Sequence, residues 1–311
     1  MSSKKSLSEF SENNHALQGH RKEREEGGAD LKAFNVALEA ARRAAEVTLE
    51  GWNKPLSFKH KGVVDLVTEF DQRAEVEAMK VLRESFPDDY IVAEESGGDQ
   101  PAPGEGEEES NGRVGDGMRG RRVWHVDPLD GTNNFAHGFP MFASSVGLLV
   151  DGEPVAGAIV APAVGWTFSA RRGEGAWFNG RPMRVSATPD MDACLAVTGF
   201  PYTRREEAEN MARRVKIFLE KTLGLRRIGA AALDLCFVAC GWFDFFFESS
   251  LHTWDVAAGA LLVGEAGGKV TDWRGSGVKS AVGKGEIAAS NGLVHNELLK
   301  VLGDISAYEE G

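Results

Sequence analysis

The chain has 311 residues, of which 42% are hydrophobic and 26% charged, as in an ordinary soluble globular protein of one large or two packed domains. Its formal net charge of −12 disfavours nucleic acid as a bulk electrostatic partner, because no basic excess exists to displace counterions from phosphates. The three cysteines, Cys194, Cys236 and Cys240, lie in apolar surroundings, and we interpret them as buried thiols in a reducing compartment. No apolar run approaches the ~20 residues of a membrane span.

The first 29 residues are rich in Ser, Lys, Glu, Asn and Gly and have no apolar centre of the kind found in signal peptides. We therefore expect a disordered N-terminal extension and a cytoplasmic protein. Asp30 is the predicted N-cap of a first helix, whose apolar positions run at helical spacing from Leu31 to Leu49. A second helix is predicted to begin at Asp71 and to end before Pro87.

The next segments predict strands. Tyr90 to Ala93 is a short apolar strand that leads into Glu94, and Val123 to Val126 is a strand that delivers Asp127. Between them, residues 97–120 read as a solvated acidic loop, with a flap over a functional site as the alternative. Phe142 to Ala187 then predicts an antiparallel meander, because Asp151-Gly152 and Asn179-Gly180 are two-residue hairpin signals between apolar runs.

After Pro189 the pattern changes to alternating strands and helices. The predicted strands are Leu195 to Thr198 and Phe243 to Phe247, the second of which ends at Glu248. The predicted helices are an amphipathic one from Glu206 to Leu223, with Met211, Val215, Phe218 and Leu223 inside, and two buried ones, Ala230 to Cys240 and Trp254 to Glu265.

Four acidic residues fall where predicted elements begin or end: Glu94, Asp127, Asp130 and Asp255. Buried carboxylates are costly unless they are paired with cations, so these four could converge on one cation site. Ligands that are all oxygen, with no Cys or His, favour a hard ion such as Mg²⁺ or Mn²⁺ over zinc.

The segment from Asp127 to Thr132 combines cation ligands with phosphate donors. Pro128 keeps Asp127 out of helical geometry, and the Leu129 carbonyl and Asp130 supply further oxygens. Gly131 allows close backbone approach, and the N–H groups around it and Thr132 face outward at a helix start, where anions bind. Taken alone, the hexapeptide is also compatible with an Asp-rich turn.

Together with companion segments, this hexapeptide resembles the inositol monophosphatase family, within the lithium-sensitive metal-dependent phosphatases. The matching segments lie in family order over most of residues 30 to 300: Asp65-Leu66-Val67-Thr68 with Asp71, Ala93-Glu94-Glu95-Ser96, Trp124 to Pro140, and Trp254 to Gly259 followed by Glu265 to Gly268. The resemblance implies a layered αβαβα sandwich of mixed α+β and α/β character. Residues 30–188 would form a first half with an antiparallel sheet and most metal ligands, and residues 189–311 a second half with a smaller mixed sheet.

The resemblance also implies roles for single residues. Glu94, Asp127 and the Leu129 carbonyl would hold one Mg²⁺, and Asp127, Asp130 and Asp255 a second. Asp65 would support a weaker third ion through water. Thr132 and Asp71, with Glu94, would orient and activate the attacking water, and Gly131 and Thr132 would bind the phosphate. Glu248 and the backbone near Ala231 would contact the substrate's hydroxyl groups, and Asp127 and Asp255 would also take part in substrate binding.

The implied reaction is hydrolysis of a phosphate monoester, with myo-inositol monophosphate as the preferred substrate and a homodimer as the expected assembly. Histidinol phosphate, fructose 1,6-bisphosphate, NADP and 3′-phosphoadenosine 5′-phosphate remain alternatives within the family. Asn133-Asn134 after the Asp-Gly-Thr disfavours the nucleotide branch, which usually has charged residues there. A non-catalytic partner of RNA or of the transcription machinery is the alternative from another class, and the net charge of −12 disfavours direct RNA binding.

Several residues beside these motifs receive a structural interpretation. His125, His137 and His252 flank the motifs, and we predict structural roles for all three. Arg204 and Arg205 are compatible equally with steering of an anionic substrate and with a solvated face.

Overall fold

The computed structural model describes residues 28–52, 54, 58–60, 66–98, 121–201, 205 and 208–309. The predictions for the first 27 residues, for Asp65, for residues 99–120 and for Arg204 lie outside these ranges. The helices described are α1 (Gly28–Gly51), α2 (Glu69–Ser85), α3 (Thr132–Ala136), α4 (Ala208–Lys221), α5 (Ala231–Ala239), α6 (Thr253–Glu265), α7 (Val278–Lys284) and α8 (His295–Glu309). The strands are β1 (Phe58–His60), β2 (Leu66–Thr68), β3 (Tyr90–Ala93), β4 (Arg122–Asp130), β5 (Ala143–Val150), β6 (Glu153–Ala161), β7 (Trp166–Arg171), β8 (Gly175–Phe178), β9 (Arg181–Pro182), β10 (Leu195–Thr198), β11 (Gly224–Arg226), β12 (Phe245–Glu248), β13 (Lys269–Thr271) and β14 (Ile287–Ser290).

The first two helices begin earlier than predicted. Helix α1 starts at Gly28, so Asp30 lies in its first turn and is not its N-cap. Helix α2 starts at Glu69 because Thr68 caps it: the Thr68 hydroxyl accepts from the Phe70 N–H at 3.1 Å, and the Asp71 carboxylate accepts from the Thr68 N–H at 2.8 Å. Asp71 is therefore the third helical residue of a capping box.

The first sheet has seven strands in the order β3-β4-β5-β6-β7-β8-β9. It is antiparallel from β4 onward, but β3 pairs parallel with β4, so the predicted antiparallel sheet is in fact mixed. Both hairpin signals are confirmed, because Asp151 and Gly152 have φ values of 56° and 80°, and Asn179 and Gly180 have values of 47° and 76°.

The second sheet has five strands in the order β11-β10-β12-β14-β13. Strand β10 pairs parallel with β11 and β12, whereas β14 pairs antiparallel with β12 and β13. This sheet is smaller and mixed, as predicted.

Five layers result, which confirms the αβαβα sandwich. Helices α1 and α2 cover one face of the seven-stranded sheet, and α5 and α6 lie between the two sheets. Helices α4 and α8 pack on the outer side of the five-stranded sheet. Helix α6 approaches the larger sheet closely: a Cβ at Gly147 would lie 2.8 Å from the Ala258 nitrogen, and one at Gly157 would lie 2.9 Å from the Ala258 Cα. The division predicted between residues 188 and 189 stays a prediction.

Helix α4 shows where the apolar pattern misled. Met211 and Phe218 are buried as predicted, but Leu223 is 75% exposed because the helix has already ended at Lys221. Arg214 is buried instead, with its guanidinium carbon 4.8 Å from the centroid of the Trp273 ring. The three cysteines are free thiols, two of them buried.

Candidate active site

The end of strand β4 carries the central acidic residues. Regular pairing with β5 runs to Asp127 opposite Ser145, is interrupted, and resumes with Asp130 opposite Ala143. The strand thus continues to Asp130, beyond the turn that the sequence suggested at Asp127. The Leu129 N–H donates to the Asp127 carboxylate at 3.0 Å, which fixes that side chain beside its own backbone.

Asp130 joins this strand end to helix α5. Its two carboxylate oxygens accept from the Ala231 N–H at 3.2 Å and the Ala232 N–H at 2.9 Å. Burial, together with the Asp255 carboxylate, raises the pKa of Asp130 to about 7, although the N–H groups at the start of α5 oppose the rise. The Ala231 N–H is therefore directed at Asp130, and the predicted substrate contact of Ala231 stays a prediction.

Gly131 makes this junction possible. Its φ of 83° is left-handed, and a Cβ there would lie 2.9 Å from the Met141 carbonyl oxygen and 3.2 Å from the Ala230 Cβ. Only glycine accommodates both conditions without strain. Gly131 also precedes the short helix α3, which places Thr132 directly after the acidic strand end.

The four acidic residues predicted to converge lie close enough for the charges of three of them to act on the fourth, Asp127. Burial raises the pKa of the Asp127 carboxyl well above its usual range, and a hydrogen bond joins the Glu94 and Asp127 side chains. Charge repulsion raises this pKa further, and it comes from Glu94, Asp130 and Asp255. Asp255 reaches the cluster from helix α6, where its carboxylate accepts from the His252 N–H at 2.7 Å.

The oxygen donors of these acidic groups are of the kind that a hard divalent cation prefers. In the described ranges, no three His, Cys, Asp or Glu side chains are already grouped as a metal-binding set. The donors nevertheless are all oxygens, and they repel one another at close range, a repulsion that bound positive charge would relieve. The group that fits them is therefore a cation held by carboxylates and not by thiols or imidazoles.

Thr132 and Asp71 form a second, adjoining group. The Thr132 hydroxyl lies 3.2 Å from Asp71 Oδ1 and 3.0 Å from the Leu129 carbonyl oxygen. Thr68 donates to the other Asp71 oxygen through both its backbone N–H and its hydroxyl. Burial raises the pKa of Asp71, whereas these hydrogen bonds lower it. The Thr132 hydroxyl can therefore donate its hydrogen either to the buried Asp71 carboxylate or to the Leu129 carbonyl.

Glu248 is the last residue of strand β12, in the second sheet. It is buried, and burial raises its pKa to about 8; Arg227 lowers this pKa, and Asp255 and Asp130 raise it. Glu248 packs against Gly199, where any Cβ would collide with its carboxylate. The structure therefore places this acid within electrostatic reach of the cluster at β4.

Two acids near the site were missed from the sequence. Glu75 lies in helix α2 one turn after Asp71, and its spacing from Asp71 was an available signal. Asp234 lies in the apolar helix α5, is fully buried, and has no hydrogen-bond partner for either oxygen within the described residues. An acid inside an otherwise apolar helix was the signal for Asp234.

The flanking histidines differ in their surroundings. His125 is buried and hydrogen-bonded to the Thr253 hydroxyl at 2.8 Å, and burial lowers its pKa to about 3, in keeping with a structural role. His252 stacks on Trp254 with ring centroids 4.5 Å apart. Arg205 is exposed.

Over the ranges that the structure covers, no helix combines the length and apolar character needed to cross a membrane.

Known proteins are similar to this chain in both sequence and fold. The inositol monophosphatase family matches residues 31–307. The chain is 40% identical over 267 residues to the chloroplastic phosphatase IMPL1 of Arabidopsis thaliana, covering 84% of this chain and 67% of that protein. It is also 40% identical over 271 residues to a putative Nus factor SuhB of Neisseria meningitidis, covering 86% and 97% respectively. Among solved structures, the inositol monophosphatase of Anabaena superposes with a TM-score of 0.73 at 37% identity, covering 87% of this chain and 95% of that one.

The layered fold, the acidic strand end and these matches define a phosphoric monoester hydrolase of the inositol-phosphate phosphatase type. The chain belongs to the inositol monophosphatase family.

Proposed function

We propose that the protein hydrolyses a phosphate monoester in a Mg²⁺-dependent reaction, with myo-inositol monophosphate as its preferred substrate. The observation that carries this proposal is the junction of two groups. The mutually repelling acids around Asp127 adjoin a Thr132 hydroxyl that Asp71 holds at 3.2 Å. Cation ligands and a water-orienting hydroxyl are thereby combined at one strand end.

The ligand assignment follows the positions of the acids. Glu94, Asp127 and the Leu129 carbonyl would hold one Mg²⁺, and Asp127, Asp130 and Asp255 a second. Asp65 would support a third, and Mn²⁺ is the expected substitute. When bound, the ions supply positive charge that stabilises the phosphoryl oxygens.

The chain's own residues orient the water and the phosphate. The Thr132 hydroxyl would donate its hydrogen bond to Asp71, which leaves the lone pairs of the Thr132 oxygen free to accept a hydrogen bond from the attacking water. Glu94 lies on the neighbouring strand end, where its carboxylate can take the proton of that water. The Gly131 and Thr132 N–H groups would bind a phosphate oxygen.

The preference for inositol monophosphate depends on Glu248. A buried carboxylate at this position can accept hydrogen bonds from adjacent ring hydroxyls, and leaving it unpaired is costly. A substrate that carries such hydroxyls would therefore bind better than a flat, apolar alcohol ester.

A second candidate comes from the relatives named SuhB. The Neisseria protein is described as a putative Nus factor, which favours a non-catalytic role with the transcription machinery as the alternative. The clustered acids favour catalysis, because a purely structural role gives no reason for buried carboxylates that repel one another.

The decisive experiment is phosphate release from a panel of inositol, sugar, histidinol and nucleotide phosphates, with Mg²⁺ and with or without lithium. We expect myo-inositol monophosphate to be turned over fastest, release to stop without Mg²⁺, and millimolar lithium to inhibit. Turnover of a nucleotide phosphate above all others would overturn the substrate assignment. Full lithium resistance would contradict the placement of its metal site with the lithium-sensitive phosphatases. No release from any substrate would favour the non-catalytic role.

A further inference from the structure

Glu75 is a buried acid that the proposed chemistry does not use. It lies in helix α2 and is only 3% exposed. One carboxylate oxygen accepts from the Glu95 N–H at 2.7 Å, and the other accepts from the Ser96 N–H at 2.9 Å. Glu75 therefore holds two consecutive backbone groups directly after Glu94.

The segment after Glu94 needs such support. The Glu94 N–H donates to the Val126 carbonyl at 3.2 Å, which continues the parallel pairing of β3 with β4. Beyond Glu94 the chain leaves the sheet, and Gly97 and Gly98 have left-handed φ values of 77° and 89°. The sheet thus fixes Glu94 from one side, and the two bonds to Glu75 fix the backbone on the other.

Helix α2 connects this segment to the other catalytic group. Asp71 and Glu75 are four residues apart, so their side chains leave the same face of the helix. Asp71 holds the Thr132 hydroxyl, and Glu75 holds the backbone after Glu94. Ala74 and Ala78 are fully buried beside them, which anchors this part of the helix in the core.

We propose that Glu75 is a positioning residue that sets the Glu94 carboxylate relative to Thr132, through the backbone N–H groups of Glu95 and Ser96. The inference rests on the proposed function, in which Glu94 binds Mg²⁺ and takes the proton of the attacking water. Loss of Glu75 should therefore weaken metal binding and the chemical step more than it weakens substrate binding.

The test uses Glu75→Gln in the full chain. Glutamine keeps the volume of the side chain but replaces one acceptor oxygen with an NH₂ group, which cannot accept from a backbone N–H. Glu84→Gln is the matched control, because Glu84 lies exposed on the same helix. Glu75→Asp, which keeps the charge but shortens the reach, is the second variant if Glu75→Gln does not fold.

Two measurements are made on each variant. Hydrogen–deuterium exchange reports the protection of the Glu95 and Ser96 amides without any need for activity. Mg²⁺ titrations of phosphate release report the half-saturating concentration, kcat and KM. For Glu75→Gln we expect faster exchange at these amides, a rise of ~10-fold in half-saturating Mg²⁺, a lower kcat and little change in KM. Glu84→Gln should match the unsubstituted protein.

Each outcome decides a separate point. Unchanged amide protection in Glu75→Gln would overturn the positioning role, and so would lost protection with an unaltered Mg²⁺ titration. If the unsubstituted protein releases no phosphate from any substrate, the proposed function fails. The exchange measurement then still shows whether Glu75 holds the segment after Glu94.

Discussion

The strand side of the site, Asp127 to Thr132, and the substrate side, Glu248 with Asp234, hold buried carboxyl groups in opposite ways. On the strand side, backbone N–H groups meet the carboxylates: Asp127 accepts from Leu129, and Asp130 accepts from the start of helix α5. On the substrate side, Asp234 has no hydrogen-bond partner within the described residues, and charge from Arg227 lowers the raised pKa values of Glu248 and Asp234.

This difference shows which buried acids receive their hydrogen-bond partners from the fold itself. The strand end and the N-terminus of helix α5 supply backbone N–H donors to Asp127 and Asp130. These side chains are therefore held in place before a cation or substrate binds. The substrate side is held by packing and by charge at longer range, and Glu248 is the acid that we propose to gain hydrogen-bond partners from substrate hydroxyls. In the proposed function, the strand side therefore carries the hydrolytic chemistry, and the substrate side selects the leaving alcohol.

The largest expected effect comes from Asp130→Asn. The amide keeps the shape of the side chain but removes the negative charge of a proposed cation ligand, and its NH₂ group cannot accept from one of the two N–H groups of helix α5. We expect Mg²⁺-dependent phosphate release to fall by more than ~100-fold, the upper end for residues that only support a ligand. The circular dichroism spectrum should be unchanged. Near-normal turnover in a folded variant would refute the two-ion assignment and remove the contrast between the two sides.

The strand side was also the part on which the local sequence carried the most information. Asp127, Asp130 and Gly131 are neighbours in the chain, and their spacing alone limits where their side chains can point. Glu94 and Asp255 were singled out because Glu94 follows an apolar strand and Asp255 opens an apolar helix.

On the substrate side, the sequence named Glu248, whereas Asp234 required the fold. Asp234 lies in an apolar helix. Its electrostatic interaction with Glu248 depends on how α5 packs against β12. The parallel pairing of β3 with β4 is likewise a long-range event, because the local periodicity of a strand specifies neither its partner nor the direction of pairing. Leu223 was misplaced since the end of α4 depends on where β11 begins.

Glu248→Gln tests the substrate side alone. If Glu248 accepts hydrogen bonds from ring hydroxyls, kcat/KM for inositol monophosphate should fall ~10-fold, as for loss of a buried hydrogen bond. An aryl phosphate, which lacks such hydroxyls, should lose less than ~2-fold on the same reasoning. Equal losses on the two substrates would show that Glu248 does not contact the leaving alcohol.

The raised pKa values give a prediction for stability against pH. A carboxyl whose pKa is higher in the folded state binds more protons there, so stability falls as pH rises from the unfolded pKa to the folded one. For Asp130 this window runs from ~4 to about 7, and for Glu248 it extends to about 8. We expect the melting temperature of the metal-free protein to drop by at least ~3 °C between pH 5 and pH 8.

Added Mg²⁺ sharpens this measurement. The ion competes with protons for the strand-side acids, so it should raise the melting temperature more at pH 8 than at pH 5. In Asp130→Asn the Mg²⁺ effect should shrink, whereas in Glu248→Gln it should persist. A stabilisation by Mg²⁺ that is equal at both pH values would argue against deprotonated acids as its ligands.

The smallest expected effect concerns the contact that ties strand β4 to helix α6. A hydrogen bond of 2.8 Å joins the Thr253 hydroxyl to His125. Thr253 lies two residues before Asp255 in the chain, and His125 lies two residues before Asp127. Thr253→Val removes the hydroxyl at constant shape, and we expect a loss of ~1–2 kcal/mol in the free energy of unfolding, as for a buried partner left unpaired. Thr253→Ser keeps the hydroxyl and should lose less, which separates the hydrogen bond from packing. If urea unfolding shows equal stability for the valine and serine variants, packing of the helix against Gly147 and Gly157 suffices to place Asp255, and the hydrogen bond adds nothing to the strand side.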